Sequence, residues 1–214
     1  MKKFVINLKR RPDRLQQFQQ RCPYIDVEVI HGFDGKNPGE ESKKEQKIYN
    51  AHPIKNNLEK GVRGCTISHL RVWKKIVDQG IPMALIFEDD SQFHENFKGI
   101  MDQVVLPDDG LIFIGGRFVP NFVIPPPFAT NVSTFLCKSE MKSWNAVFHE
   151  RTAHAYIITL KLAKLFLLLF DFTKEHIEID KFMVERCRFN DIPIYNTIPL
   201  LCHSPMIGDS DIRR

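Results

Sequence analysis

Three consecutive carboxylates, Glu88, Asp89 and Asp90, follow a short apolar run at residues 83–87. Such a run fits a strand covered on both faces, and ligands in an open α/β sheet sit at the carboxyl ends of the strands. Adjacent carboxylates repel one another, so a divalent cation or nearby arginines should compensate their charge. Oxygen ligands at a strand end suit Mg²⁺ or Mn²⁺. A solvated acidic turn is the alternative interpretation.

The extended backbone divides these carboxylates between two directions. Glu88 and Asp90 point to one side and Asp89 to the other. One side could hold a metal ion while the other contacts the rest of a ligand. A basic group of Lys9, Arg10, Arg11 and Arg14 follows the first predicted strand and could bind an anion, with a solvated charge run as the alternative.

Strand and helix patterns alternate along the chain and predict an α/β fold with a mixed or mostly parallel sheet. The predicted strands span residues 3–8, 25–30, 83–87, 111–114, 155–158 and 192–196, and the predicted helices span residues 12–22, 61–78, 93–105, 160–170 and 181–188. Residues 36–60 are polar and long for a structureless loop, so we expect a short helix there and a lid or flap over a site. Residues 117–150 are rich in proline and aromatic residues, and we expect them to line a binding cleft, with one arm of a hairpin at residues 131–137.

Composition limits the classes of protein to which the chain can belong. Its 214 residues suit one domain, and a net charge of +4 is too mild to indicate nucleic-acid binding. Five widely spaced cysteines without zinc or CxxC spacing predict free thiols in a reducing compartment. No apolar leader precedes the first strand, and the most apolar stretch, residues 160–172, is too short to span a bilayer. We therefore expect a cytoplasmic protein, for which peripheral membrane contact stays open. GxGxxG and P-loop motifs are absent from the sequence.

Several short motifs occur in a fixed order along nearly the whole chain. They are Ile6-Asn7-Leu8-x-Arg10-Arg11-x-Asp13-Arg14, Asp34-Gly35, Gly61-x-x-Gly64-Cys65-x-x-Ser68-His69, Leu85-Ile86-Phe87-Glu88-Asp89-Asp90, Ala155-Tyr156-Ile157-Ile158, Ile179-Asp180-Lys181-Phe182 and Ser210-Asp211-Ile212. This ordered set resembles glycosyltransferase family 25, which includes bacterial lipooligosaccharide galactosyltransferases, collagen β-galactosyltransferases and related viral proteins.

The resemblance implies a GT-A fold, here a single domain over residues 1–214 with a Rossmann-like sheet. Residues 1–116 would form the nucleotide-sugar half, and residues 117–214 the acceptor side and site closure. It also implies a UDP-sugar donor, a divalent metal ion (usually Mn²⁺, or Mg²⁺) and inversion at the anomeric carbon. The acceptor would be a hydroxyl of a glycan, a lipooligosaccharide or other lipid-linked sugar, or a protein.

The resemblance also implies roles for the acidic residues and a late histidine. Asp90 would be the direct metal ligand, and Glu88 or Asp89 would meet the ribose or a metal-bound water, with Glu88 as a further candidate ligand. His203 resembles the histidine that closes the metal site in many GT-A enzymes, and a purely structural histidine is the alternative.

Further residues are candidates for binding the donor. Ile6, Asn7 and Leu8 sit where the first strand would meet uracil. Arg11 and Arg14 could pair with the diphosphate or with Asp34, or form a surface network with Asp13. The remaining expectations are that Asp34 and Gly35 line the nucleoside pocket, and that Ser68 and His69 begin a helix whose N–H groups face the donor, unless they serve helix packing and capping.

Inverting transfer needs a base beside the acceptor hydroxyl. Asp180 is the candidate base, Glu150 is a weaker one, and helix capping is the alternative role of Asp180. Two other functions compete with the transferase: an inactive sugar-nucleotide-binding or scaffold protein, and a metal-dependent phosphohydrolase. The intact acidic triplet argues against the first, and the scarcity of further carboxylates or histidines at strand ends argues against the second.

Overall fold

A mixed β-sheet with helices on both faces forms the centre of the computed structural model, which describes residues 1–39, 43–116, 129–139, 152–171 and 178–204. The strands are β1 (Lys2–Asn7), β2 (Glu28–His31), β3 (Met83–Glu88), β4 (Gln92–Phe93), β5 (Leu111–Phe113), β6 (Gly115–Gly116), β7 (Ala129–Ser133), β8 (Leu136–Ser139), β9 (Ala155–Thr159), β10 (Ile194–Thr197) and β11 (Cys202–His203). The helices are α1 (Pro12–Arg21), α2 (Lys43–Tyr49), α3 (Asn57–Asp78), α4 (Phe97–Met101), α5 (Leu160–Leu169) and α6 (Ile179–Phe189).

The main sheet has eight strands in the order β2-β1-β3-β9-β5-β10-β8-β7. Only β9 and β8 run against the other six, because β9 pairs antiparallel with both β3 and β5, and β8 pairs antiparallel with β10 and β7. The α/β architecture expected from the sequence is confirmed. A smaller sheet of β4, β11 and β6 lies beside it.

Alternation along β3 sends its side chains to two apolar cores. Ala84 and Ile86 join the core beneath α3, α5 and α6, whereas Leu85 and Phe87 join the core that includes Phe18 of α1. Both faces of the strand are thereby covered, as its continuous apolar run predicts. The same alternation carries Glu88 to the α3 side of the sheet.

Helix α3 begins earlier than its glycines suggest. It starts at Asn57, where the Asn56 side chain accepts a hydrogen bond from the Glu59 N–H. The prediction that Ser68 and His69 begin a helix is therefore wrong, since both lie in its middle. A glycine occupies position 64 inside this helix because a β-carbon there would lie 2.7 Å from the Phe33 carbonyl oxygen.

Other predicted elements differ in length. Residues 36–60 contain the expected short helix, α2, but also the first turn of α3. The helix predicted at residues 93–105 is shorter in the structure, where α4 spans Phe97–Met101. Its predicted first residue, Phe93, instead pairs with β11 as part of β4. A hairpin forms from β7 and β8, but the prediction that residues 131–137 are one of its arms is wrong, because they include the turn between the two strands. Residues 117–128 and 140–151, including Glu150, lie outside the described residues. Among the described helices, none combines the length and apolar character that crossing a membrane requires.

Candidate active site

A cleft opens at the carboxyl ends of β1 and β3. Its wall includes most of the site residues expected from the sequence, namely Ile6, Leu8, Arg14, Asp34, Gly35, Ser68, Glu88, Asp89 and Asp90. Helix α3 forms one wall and the loop after β2 another. The carboxyl edge of a mainly parallel sheet is where a ligand-binding crevice is expected.

Asp89 is buried at the base of the cleft between two hydrogen-bonding neighbours. The Arg14 guanidinium lies 2.5 Å from one carboxylate oxygen, and the Asn7 amide donates to the other at 2.7 Å. Burial raises the pKa of Asp89 to about 7 despite the opposing charge of Arg14, and Asp90 adds to the rise. Asn7 thus holds Asp89 in place and is not among the residues that line the cleft.

Arg14 also lies 2.9 Å from a carboxylate oxygen of Asp90, so one buried guanidinium serves two acidic side chains. The expectation that arginine compensates the acidic run is confirmed. The other oxygen of Asp90, Oδ1, is buried and has no hydrogen-bond partner among the described residues. An unpartnered buried carboxylate oxygen is costly unless a cation or water meets it.

His154 completes a cluster with Glu88 and Asp90. Its Nε2 lies 3.8 Å from Glu88 Oε2 and 3.8 Å from Asp90 Oδ1, and one ligand atom from each residue falls within 4.8 Å of the others. Two carboxylates and an imidazole are a donor set suited to Mn²⁺ or Mg²⁺. The orphaned Oδ1 shows that these residues fit a divalent cation.

His154 was not among the residues expected from the sequence, because the sequence does not give the direction of β9. His154 immediately precedes that strand, so a parallel β9 would place it at the far edge of the sheet. The antiparallel pairing with β3 brings it beside Glu88 and Asp90, and its carbonyl oxygen accepts hydrogen bonds from the Glu88 N–H and the Ser91 hydroxyl, both at 2.8 Å. A lone histidine before a strand carries no sequence signal of this role.

Glu88 points away from Arg14, toward α3. Its Oε1 lies 3.2 Å from His69 Nε2 and 3.4 Å from the Cys65 thiol. Burial opposes ionisation of Glu88, but the charge of His154 and the hydrogen bonds from His69 and Cys65 outweigh it and lower the pKa of this carboxyl. Glu88 is therefore charged where it faces the cluster.

The basic group after β1 divides between the cleft and the surface. Arg10 lines the cleft and lies 2.5 Å from Asp34, whereas Arg11 pairs with the exposed Asp13. Arg11 thus makes the surface network weighed as its alternative, and Arg14 pairs with the acidic run rather than with Asp34. Burial opposes the charge of Asp34, but Arg10 and the Lys36 N–H lower its pKa.

Ser68 and Gly35 shape the wall of the cleft. The Ser68 hydroxyl donates to the Gly64 carbonyl at 2.6 Å and accepts from the Phe33 N–H at 2.8 Å, so it fastens the loop after β2 to α3. A β-carbon at Gly35 would stand 1.8 Å from the Lys60 carbonyl oxygen. The wall is therefore built by close backbone contact between this loop and α3.

Asp180 and His203 lie beside the cleft without lining it. Asp180 is in the first turn of α6 and accepts a hydrogen bond from the Lys181 N–H. Burial raises the pKa of the Cys65 thiol, and the charges of Glu88 and Asp180 add to the rise. His203, on β11, has its pKa lowered by burial and by the charge of His154. His203 is not one of the residues that form the cluster of Glu88, Asp90 and His154.

The family model described as glycosyltransferase family 25 (LPS biosynthesis protein) matches residues 1–183. The chain belongs to this family. The match takes in β1 to β9 and thus every residue of the Glu88–Asp90–His154 cluster.

Curated family 25 relatives match about half of the chain. Human procollagen galactosyltransferase 2 is 32% identical over 131 residues, which are 53% of this chain and 20% of that protein. "Putative glycosyltransferase R655" of Acanthamoeba polyphaga mimivirus is 35% identical over 124 residues, 54% of this chain and 37% of the viral protein. Human inactive glycosyltransferase 25 family member 3 is 29% identical over 120 residues, 48% of this chain and 18% of that protein. The matched segment is thus well under half the length of each relative.

Among solved structures, the galactosyltransferase LgtC in complex with donor and acceptor sugar analogs gives a TM-score of 0.41 at 11% identity, covering 87% of this chain and 70% of that one. A TM-score at this level does not establish a common fold.

Proposed function

We propose that this family 25 chain is a metal-dependent, inverting hexosyltransferase that moves galactose or glucose from a UDP-sugar to an acceptor hydroxyl. The observation that carries the proposal is the Glu88–Asp90–His154 cluster, whose Asp90 Oδ1 is buried and unpartnered among the described residues. The cluster opens into a cleft that also contains the cationic side chains of Arg10 and Lys36. A carboxylate cluster and cations in one cleft suit a diphosphate bound together with a divalent ion.

The donor would lie along the cleft with its nucleoside near β1. Ile6, Leu8 and Phe33 supply apolar surface for uracil, and Asp34 lies within reach of a ribose hydroxyl. Arg10 and Lys36 would meet diphosphate oxygens. Arg10 would then exchange its ion pair with Asp34 for a contact with the diphosphate.

Mn²⁺ or Mg²⁺ bound by Glu88, Asp90 and His154 would supply Lewis acidity toward the diphosphate oxygens. In the transfer itself, the acceptor oxygen bonds to the anomeric carbon from the face opposite UDP, and UDP leaves with the bonding electron pair. Asp180 is the proposed base that takes the proton of the acceptor hydroxyl. His203 is a further proposed ligand once the donor is bound.

Galactose is the first sugar to test because one of the named sequence relatives is the human procollagen galactosyltransferase 2. The acceptor would be a hydroxyl of a glycan, a lipooligosaccharide or a protein. A second candidate function has support of its own, since another relative is named an inactive family member. In that case the chain would bind a sugar nucleotide without transferring the sugar.

Thermal unfolding with a panel of UDP-, GDP- and CMP-sugars, with and without Mn²⁺, tests the donor site. A ligand at 100 times its Kd should stabilise the chain by about 2.7 kcal/mol, which for this size is a rise in Tm of roughly 5–10 °C. We expect a Mn²⁺-dependent rise with one UDP-sugar, its loss in Asp90→Asn, and its retention in Asp102→Asn, which alters an exposed carboxylate paired with Lys98.

Turnover then separates the two candidates. UDP release that requires an acceptor sugar, and that Asp180→Asn abolishes without changing donor affinity, supports the transferase. Donor binding without acceptor-dependent product across a broad acceptor panel supports the inactive form. No Tm rise with any nucleotide sugar would contradict both.

A further inference from the structure

A chain of buried hydrogen bonds runs from the core beneath the sheet to Glu88. The Trp73 indole nitrogen lies 2.9 Å from the Tyr156 hydroxyl, which lies 2.8 Å from His69 Nδ1. His69 Nε2 lies 3.2 Å from Glu88 Oε1. Trp73, Tyr156 and His69 are completely shielded from solvent. A buried polar atom without a hydrogen-bond partner costs free energy of folding, so the orientations of these three side chains are strongly constrained.

The chemistry at the two ends fixes the direction of every bond in the chain. An indole N–H can only donate, so the Tyr156 oxygen accepts from Trp73. A carboxylate can only accept, so His69 Nε2 carries a hydrogen and donates to Glu88. His69 Nδ1 then presents a lone pair, to which the Tyr156 hydroxyl donates. This arrangement satisfies all the participating atoms with one imidazole tautomer.

The same contacts argue against an alternative use of these residues. Ligand atoms of Cys65, His69 and Glu88 lie within 4.8 Å of one another and could hold a thiophilic metal ion. That use would move the imidazole hydrogen to Nδ1, against a Tyr156 oxygen that already accepts from Trp73. The Tyr156 hydroxyl hydrogen would then lack an acceptor among the described residues. The Cys65 thiol already donates to Glu88 Oε1 at 3.4 Å, a contact that metal ligation of the sulfur would remove.

Glu88 is consequently held from one side only. Its Oε1 faces two donors, the His69 N–H and the Cys65 thiol, whereas its Oε2 faces His154, the third residue of the candidate metal site. We propose that His69, held by the Tyr156 hydroxyl, is a positioning residue that orients the Glu88 carboxylate so that Oε2 is presented to a divalent cation. The inference rests on the cation site of the proposed function. His69 itself does not touch the ion; it engages Oε1 and stops the carboxylate from rotating.

Direct Mn²⁺ binding to the nucleotide-free protein, measured from the electron paramagnetic resonance signal of the free ion, tests the proposal without relying on activity. His69→Leu should weaken Mn²⁺ binding by roughly 10- to 100-fold, the usual effect of losing an outer-shell partner. His69→Gln, which supplies both an amide donor and an acceptor, should restore most of the affinity. Asp90→Asn should abolish binding.

Two variants separate hydrogen bonding from packing. Tyr156→Phe removes the donor to His69 Nδ1 and should weaken Mn²⁺ binding several-fold. Trp73→Phe removes only the far end of the chain and leaves the Tyr156–His69–Glu88 bonds intact. It should therefore lower thermal stability but keep the affinity near wild type. Comparing these two variants tests the proposal even if His69→Leu does not fold.

The outcomes distinguish this inference from the proposed function. Equal Mn²⁺ affinity in wild type, His69→Leu and Tyr156→Phe, with binding lost in Asp90→Asn, would overturn the role of His69 and leave the cation site standing. No Mn²⁺ binding by wild type would overturn the site and the inference together. A thiolate-to-metal absorption band with Cd²⁺ that vanishes in Cys65→Ser, together with Cd²⁺ affinity that falls in His69→Leu but not in Tyr156→Phe, would make His69 a ligand and overturn its positioning role.

Discussion

At the scale of single residues, Asp89 is a carboxyl group whose burial works against its charge. Burial raises its pKa to about 7 in spite of Arg14, whereas an aspartate in an unfolded chain titrates near pH 4. The folded chain therefore holds this proton more tightly. The stability that the group contributes is fully present below about pH 4 and is lost as the pH rises toward 7.

Asp89→Asn should flatten this pH dependence. In metal-free buffer, the wild-type free energy of unfolding from urea titration should fall between about pH 4.5 and pH 7.5, and the variant should fall by roughly 2–4 kcal/mol less. The absolute stability of the variant will be lower, because Asn7 and Arg14 lose a full acceptor, so the slope is the quantity to compare. Asp102→Asn is the matched control, and identical slopes in all three proteins would contradict the prediction.

Residue types alone did not distinguish the two arginines of the first motif. Arg11 and Arg14 belong to the same short motif, yet only Arg14 lies on the face of α1 that packs against the sheet. Arg11 is the residue before the helix and turns toward Asp13. The phase of the helix decides this, and it depends on where Phe18 inserts into the core, which no local pattern states.

At the scale of elements, the wall of the cleft depends on the absence of two β-carbons. Gly64 of α3 and Gly35 of the loop face each other, and a β-carbon on Gly64 would lie 2.7 Å from the Phe33 carbonyl oxygen and 2.8 Å from the Gly35 nitrogen. Neither contact involves a flexible side chain that could give way. The loop and the helix therefore approach as closely as backbones can.

Gly64→Ala should destabilise the chain although alanine favours helices by about 1 kcal/mol over glycine. Overpacking against rigid backbone should cost about 1–3 kcal/mol and push the loop that carries Asp34 away from α3, so donor affinity should fall with stability. Urea unfolding and the donor-induced Tm rise measure the two effects. Gly39→Ala has no atom within 4 Å of the new carbon and should be neutral. A stabilised Gly64→Ala would contradict the close contact.

Local patterns predict elements well where the signal is contained within the element. The runs that became β3, β5 and β9 are apolar, short and bounded by turns, and each was placed correctly within one or two residues. The direction of β9 was not predictable in this way, because pairing with β3 and β5 is a choice between distant segments. For the same reason His154, the third member of the cluster, was missed whereas Glu88 and Asp90 were found.

At the scale of the whole molecule, the sheet interleaves early and late segments of the chain. Strand β9 lies between β3 and β5, and β10 lies between β5 and the β7–β8 hairpin. The family model ends at residue 183, before β10. The part of the sheet beyond the family match thus joins β5 to the hairpin, and the family segment alone leaves the edge of β5 unpaired.

A chain that ends at residue 190 should therefore lose cooperative folding. It lacks β10 and β11, so the buried side chain of Ile194 is absent, and β7 and β8 have no neighbour in the main sheet. We expect a weak near-ultraviolet circular dichroism signal and a broad urea transition. Tyr195→Ala in the full-length chain keeps the backbone ladder of β10 and should still unfold in one steep step. A truncated chain with the full-length m value would contradict this expectation.

The antiparallel course of β9 also sets an order in time. His154 meets Glu88 and Asp90 only after β9 has paired with β3, which lies more than 60 residues earlier in the chain. During synthesis, a nascent chain therefore offers a cation two carboxylates but no imidazole until its central strand has arrived. A divalent ion held by all three groups would stabilise states in which β9 is paired with β3 over states in which it is not, and would thereby contribute to folding as well as to any chemistry.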